Sequence, residues 1–223
     1  MSQMIDVAFD AMEFAENPEP RVPVVLLIDK SASMNGQPIE ELNNGIKVLW
    51  QEIQADTLAS KRAEISVIEF GPVLTALDFA TVLNSFPPTF EAGGVTPMGE
   101  AIVKGIASLQ ERKKQYSASG IAYYRPWLIL ITDGAPTDEI SPAIEAIRMG
   151  EEAKALNFFP IGVQHADMQV LNLLTSGKRE ALKLNGLNFR ELFLWLSASV
   201  KSVSQSSPGE LVPLPSPMGW TAV

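Results

Sequence analysis

Three places in this 223-residue chain hold residues whose types and spacing could do chemistry. "DKSAS" sets Asp29, Ser31 and Ser33 two apart behind an apolar run, "EAGGVTPMGEA" carries Thr96, and "WLILITDG" delivers Asp133. Two carboxylates and three hydroxyls are hard oxygen donors. Such a set suits a small octahedral cation, Mg2+ first with Mn2+ or Ca2+ as alternatives, better than zinc or copper. Gly93 and Gly94, just ahead of Thr96, would let backbone approach closely, as a tight ligand loop requires.

Each residue also has a plain structural reading. Thr96-Pro97 reads as a helix N-cap followed by a first-turn proline, Ser33 as a loop hydroxyl, and Asp133-Gly134 as a strand-ending turn. The conjunction favours the metal, because independent accidents would have to place all five groups at successive strand ends. Other chemistries fit less well. A haloacid-dehalogenase-like phosphotransferase with Asp29 as nucleophile is the alternative, but its usual general acid, two residues on, is here Ser31. "GGVTPMGEA" lacks the lysine of a P-loop, and the dinucleotide fingerprint is absent. Ser-His-Asp catalysis would need the only histidine, His165 in "IGVQHADMQ", which reads as a solvated loop residue. No catalytic residue is assigned, and the expectation is a binding module rather than an enzyme. A scaffold without a working metal site is the third class.

The elements that must position these groups follow from periodicity. Apolar runs at 23–28, 65–70, 127–132 and 158–163 read as buried strands, and helical patterns occupy 38–54, 97–114, 141–156 and 188–204. Ile39, Leu42, Ile46, Leu49 and Ile53 share one helix face, as do Phe189, Leu192, Phe193, Leu196 and Val200. Alternation of strands and helices predicts an α/β, doubly wound, mostly parallel sheet with helices on both faces. Residues 71–83 are too short for a crossover helix and read as an antiparallel edge strand. In such a sheet ligands bind beyond the carboxyl ends of the strands, where Asp29, Thr96 and Asp133 would meet. A 46% hydrophobic content supports one sizeable core. We expect an acidic extension over 1–21, a domain over 22–204 and a Pro- and Ser-rich tail over 205–223. The tail's Leu211, Val212, Leu214 and Trp220 suggest that it packs back or engages a partner.

A formal charge of −9 without a basic stripe argues against nucleic acid and anionic membranes as partners. The first 20 residues carry five acids and no Lys or Arg, unlike a secretory leader, and no apolar run of membrane-spanning length occurs. A cytoplasmic location is expected. The lack of cysteine removes disulfides and thiolate chemistry.

"DKSAS", "GGVTPMG" and "ITDG" together resemble the metal-ion-dependent adhesion site of von Willebrand factor A (VWA) domains. Asp29, Ser31, Ser33, Thr96 and Asp133 match its metal positions; Lys30 and Ala32 fill the variable ones, and Lys30 would weaken cation binding only if it turned inward. "YYRPWLILITDGAPTD", "FRELFLWLSASVKSVS" and "PLPSPMGW" further resemble the bacterial TerY/YegL-like subgroup. The resemblance implies a VWA/Rossmann-like fold of six strands with one antiparallel edge. It implies non-catalytic binding of a protein ligand that presents an Asp or Glu to the metal. For the subgroup it implies association with a Ser/Thr kinase and a metal-dependent phosphatase, in settings such as tellurite resistance and stress response.

Overall fold

The computed structural model describes residues 14–175 and 179–222. Six strands form one sheet: β1 (Val22–Asp29), β2 (Ala63–Phe70), β3 (Leu74–Thr81), β4 (Trp127–Thr132), β5 (Asn157–Gly162) and β6 (Leu182–Lys183), in the order β3-β2-β1-β4-β5-β6. All neighbouring pairs are parallel except β2 and β3. The expected edge strand over 71–83 is therefore β3, and the doubly wound α/β architecture is observed. Around it pack the helices α1 (Gln37–Gln54), the single turn α2 (Ala59–Arg62), α3 (Met98–Ala118), α4 (Ser141–Glu152), α5 (Met168–Leu174) and α6 (Phe189–Ser204).

The sheet is buried on both sides because its central strands, β1 and β4, are apolar at every position but the last. Successive side chains alternate faces, so Val24, Leu26 and Ile28 of β1 meet the stripes of α1 and α6, including Leu42, Ile46, Phe189, Phe193 and Val200. Val25 and Leu27 point the other way, onto Ile102, Ile106 and Leu109 of α3, with Ile147 of α4 beside them. Both helical stripes read from the sequence are buried. Gly45 lets α1 and α6 pack closely, since a Cβ there would lie 2.5 Å from the Phe193 ring.

Differences from the sequence reading have local causes. Helix α4 ends at Glu152 rather than 156, because Lys154 takes a left-handed φ of 53° that no helix continues through. Helix α3 runs past 114 to Ala118 because Arg112 and Tyr116 are buried. The Arg112 guanidinium grips the Glu64 carboxylate through Nε and Nη2 at 2.8 and 2.9 Å, and the Tyr116 hydroxyl donates to the same group. Such polar side chains read as solvent-facing in sequence but are paired in the fold. Strand β6 is only two residues long and joins β5 at Ile161 and Gly162, past Pro160.

The tail does pack back. Trp220 is buried against Trp195 with ring centroids 5.3 Å apart, Asn185 N donates to Trp220 O, and Trp195 Nε1 donates to Pro215 O at 2.8 Å. Val212 and Leu214 lie partly buried on the same core while Leu211 stays exposed. We predict that Trp220→Ala costs about 3–5 kcal/mol in urea unfolding. A loss below about 1 kcal/mol, within the range of surface substitutions, would show that the tail contributes little.

Candidate metal site

Strand β1 is buried along its whole length and ends in Asp29, whose side chain is fully buried. The chain then turns sharply. Ser31 N donates to Asp29 Oδ1 at 2.8 Å, and a 3-10 turn over Ala32–Met34 is pinned by the buried Met34. This turn brings the hydroxyls together, Ser31 Oγ lying 3.0 Å from Ser33 Oγ. Ser33 Oγ then donates to Asp133 Oδ1 at 2.8 Å, joining the loop after β1 to the loop after β4.

Thr132, at the end of β4, has a role that the sequence reading missed. Its hydroxyl donates to Asp29 Oδ2 at 2.5 Å, so both Asp29 oxygens are held by donors. Adjacent strands in register made this findable, because Ile28 pairs with Ile131 and the next residues on each strand leave the sheet side by side.

Thr96 arrives from the loop before α3. That loop is fastened to the first by Gly93 N donating to Lys30 O at 2.6 Å and Ala32 N donating to Gly94 O at 3.2 Å. Gly94 has a φ of 85°, and a Cβ there would stand 1.6 Å from the Gly71 carbonyl oxygen. Only glycine fits. The expectation for Gly93 is not met in the same sense, since nothing lies within 4 Å of its Cβ position. Nor is Thr96 an N-cap. Pro97 occupies that place without a side-chain bond, and Asp138 instead accepts from Gly99 N and Glu100 N at 3.0 and 2.8 Å. Thr96 is fixed through its backbone, its N–H donating to Thr137 Oγ1 at 3.1 Å and its carbonyl accepting from Thr137 N at 2.9 Å.

Gly134 shows how closely the pieces meet. A Cβ on it would lie 3.4 Å from Thr96 Oγ1 and 3.9 Å from Asp29 Oδ2. All five residues expected as ligands thus converge at one rim of the sheet. His165 lies exposed in the loop after β5, as read from the sequence.

Electrostatics test whether this cluster fits a cation. Burial raises the pKa of Asp29, opposed by the bonds from Thr132 and Ser31 and reinforced by the Asp133 charge. Burial likewise raises that of Asp133, opposed by Ser33, its own backbone N–H and His165. Among the described residues neither carboxylate has a Lys or Arg partner, and Lys30 turns away to pair with Glu69 at 3.0 Å. The Thr96 side chain makes no hydrogen bond within the described residues although the residue is only 6% exposed. Two repelling carboxylates and a free hydroxyl beside them fit a divalent ion. No group of three or more His, Cys, Asp or Glu among the described residues could hold a metal, so any site here depends on the hydroxyls.

Comparison with known proteins agrees with this architecture. The profile of the von Willebrand factor type A domain matches residues 24–192, and the chain belongs to that family. Among solved structures, the pilus adhesin SpaC from Lactobacillus rhamnosus GG superposes with a TM-score of 0.58 at 14% identity, over 83% of this chain and 30% of that one. Proximal thread matrix protein 1 from the mussel byssus gives 0.56 at 18% identity, over 82% and 48%. The same mussel protein is also known with a zinc-occupied MIDAS motif. The von Willebrand factor domain of the pilus tip protein Mfa5 from Porphyromonas gingivalis gives 0.54 at 11% identity, over 86% and 98%. At these identities the likeness is one of fold, and the chain spans about half the length of the mussel protein. No curated protein sequence matches the chain. No helix among the described residues is long and apolar enough to cross a membrane.

The raised carboxylate pKa carries a signed prediction. A folded-state pKa above the unfolded one gives stability that is present below the unfolded pKa and lost as pH rises through the folded one. In metal-free protein Asp29 therefore costs stability at neutral pH. Asn keeps an acceptor for Ser31 N while losing the charge. We expect metal-free Asp29→Asn to be more stable than wild type at about pH 7, the gap closing toward about pH 4, near the ordinary carboxylate range. Thermal unfolding across that range checks it; a variant less stable at neutral pH contradicts it. Gly94→Ala should cost about 3 kcal/mol or more, from backbone strain and overpacking combined.

Proposed function

We propose that Asp29, Ser31, Ser33, Thr96 and Asp133 hold a divalent cation, Mg2+ or alternatively Mn2+ or Ca2+, and that the domain binds proteins through it. The observation that carries this reading is the hydroxyl-bridged pair of carboxylates with no basic partner among the described residues, beside the free Thr96 hydroxyl. A divalent ion held by these residues would supply Lewis acidity toward an incoming carboxylate. Asp29 and Asp133 supply the neutralising charge. Ser31, Ser33 and Thr96 add neutral oxygens, which leaves attraction for an Asp or Glu of the partner. Thr132 and the Ser31 N–H keep Asp29 oriented through both of its oxygens.

The mussel relative with zinc in its MIDAS motif supports a cation at this place in the fold. Resemblance to the TerY/YegL-like subgroup supports a cytoplasmic, bacterial setting with a kinase and a metal-dependent phosphatase as partners, and a binding rather than enzymatic role. We keep the division into an extension over 1–21, a VWA domain over 22–204 and a tail over 205–223, with Trp220 as the tail's anchor. The phosphotransferase alternative gains no support, since both Asp29 oxygens accept hydrogen bonds and a serine stands where its general acid belongs.

Linkage sets the size of the metal effect. With free metal at 100 times its dissociation constant, the folded protein should gain about 2.7 kcal/mol. Calorimetric unfolding should show this gain in wild type and its loss in Asp29→Ala; an equal gain in the variant would place the ion elsewhere. Partner capture should fall at least about tenfold, or 1.4 kcal/mol, in EDTA and in Thr96→Ala while circular dichroism stays native. Undiminished capture by folded, metal-free protein would refute the proposal.

A further inference from the structure

The loops that build the site are far more acidic than the site itself requires. Five stretches, 29–36, 69–73, 91–100, 133–140 and 163–167, surround the ends of the strands and the start of α3. With His165 counted as neutral, they contain eight Asp or Glu residues against a single lysine, a net charge of −7 within a chain whose total is −9 on the same convention. That lysine, Lys30, is already paired with Glu69.

The surplus acids lie on the segments that carry the candidate ligands or are fastened to them. Glu91 is exposed and stands two residues before Gly93, whose N–H is bonded to the Lys30 carbonyl. Glu139 is exposed, and its carbonyl oxygen lies 2.4 Å from the Cβ position of Gly99, three residues after Thr96. Glu100 is exposed in the first turn of α3, its N–H donating to Asp138. Neither Glu91 nor Glu139 makes a hydrogen bond or ion pair through its side chain among the described residues. A divalent ion brings the local formal charge only to about −5, so the face stays negative, and its pull on an approaching partner acts within the Debye length of ~8 Å at physiological salt. Val95, 60% exposed next to Thr96, is the apolar feature of this rim.

An acidic partner surface would be repelled before its carboxylate reached the ion. A basic surface would be steered in. Building on the metal reading above, we propose that the partner presents its single metal-seeking Asp or Glu from a cationic surface, flanked by Lys or Arg that face Glu91, Glu100 and Glu139. The ion then selects the acid, and the acidic rim selects what surrounds it.

The test uses the full chain with Mn2+ and synthetic peptides as probes: Lys-Lys-Gly-Asp-Gly-Lys-Lys, its analogue with Asn for Asp, and Glu-Glu-Gly-Asp-Gly-Glu-Glu. Metal binding is followed in parallel by calorimetry. At about 20 mM salt the Lys-flanked Asp peptide should bind at least ~10-fold tighter than either other peptide, and its advantage over the Glu-flanked peptide should shrink toward about 0.5 M salt as screening grows. The double variant Glu91→Lys with Glu139→Lys should lose most of the preference while still binding metal. Equal binding of the Asn analogue would reduce the effect to unspecific charge attraction and overturn the proposal. Metal binding without preference for the Lys-flanked peptide, or a preference untouched by the double variant, overturns it too and leaves the metal reading standing. Absence of metal binding in wild type overturns that reading, and this inference with it.

Discussion

The structure turns on holding two like charges close together at the ends of adjacent strands. Asp29 finishes β1 and Asp133 follows β4, and Thr132 and Ser33 are the hydroxyls that tie the two loops across the gap. Burial and mutual repulsion push the Asp29 carboxyl toward its neutral form. The arrangement therefore stores an electrostatic cost in the metal-free protein, which the proposed divalent ion would remove. A cluster of this kind persists only where the surrounding fold over-determines it.

That over-determination comes from both layers of the core. Strand β1 is clamped between α1 and α6 on one side and α3 on the other, so the position at which it ends is fixed. The loop before α3 is sewn to the loop after β1 by two backbone hydrogen bonds and, through Gly94, is pressed against Gly71 of the loop after β2, which sets Thr96 without using its side chain. At the opposite end of the sheet, Glu64 gathers Arg112, Tyr116 and Arg21 into a buried network. The network anchors α3 against β2, with Arg21 Nε held 3.4 Å from Glu64 Oε1 by charge alone and not by a hydrogen bond.

Much of this was legible in the residues. The apolar runs marked the four main parallel strands, because a sheet covered on both faces needs apolar side chains at consecutive positions. Four of the candidate ligands were visible through their place at or just after strand ends and Thr96 through its place just before a helix, and the structure brings all five to one rim. Thr132 was hidden because a hydroxyl inside an apolar strand reads as a strand residue; only its register against Ile28 and Asp29 reveals its target. Asp138 was hidden for a similar reason, since it caps a helix 39 residues before it in sequence. Two-residue β6 and the short α5 carry too little periodicity to register, and the buried Arg112 and Tyr116 masked the last turn of α3.

In the proposed reading, the acidic rim and the hydroxyl-rich centre divide recognition between them. The centre asks for one carboxylate, and the rim asks for a basic setting around it, so charge pattern rather than contact area would set specificity. All of this rests on an ion at the named oxygens. The most direct measurement is anomalous X-ray diffraction from crystals grown with Mn2+. The account predicts one strong peak bounded by the side chains of Asp29, Ser31, Ser33, Thr96 and Asp133. Strong Mn2+ peaks elsewhere, with this cluster empty and Ser33 still bonded to Asp133, would contradict it.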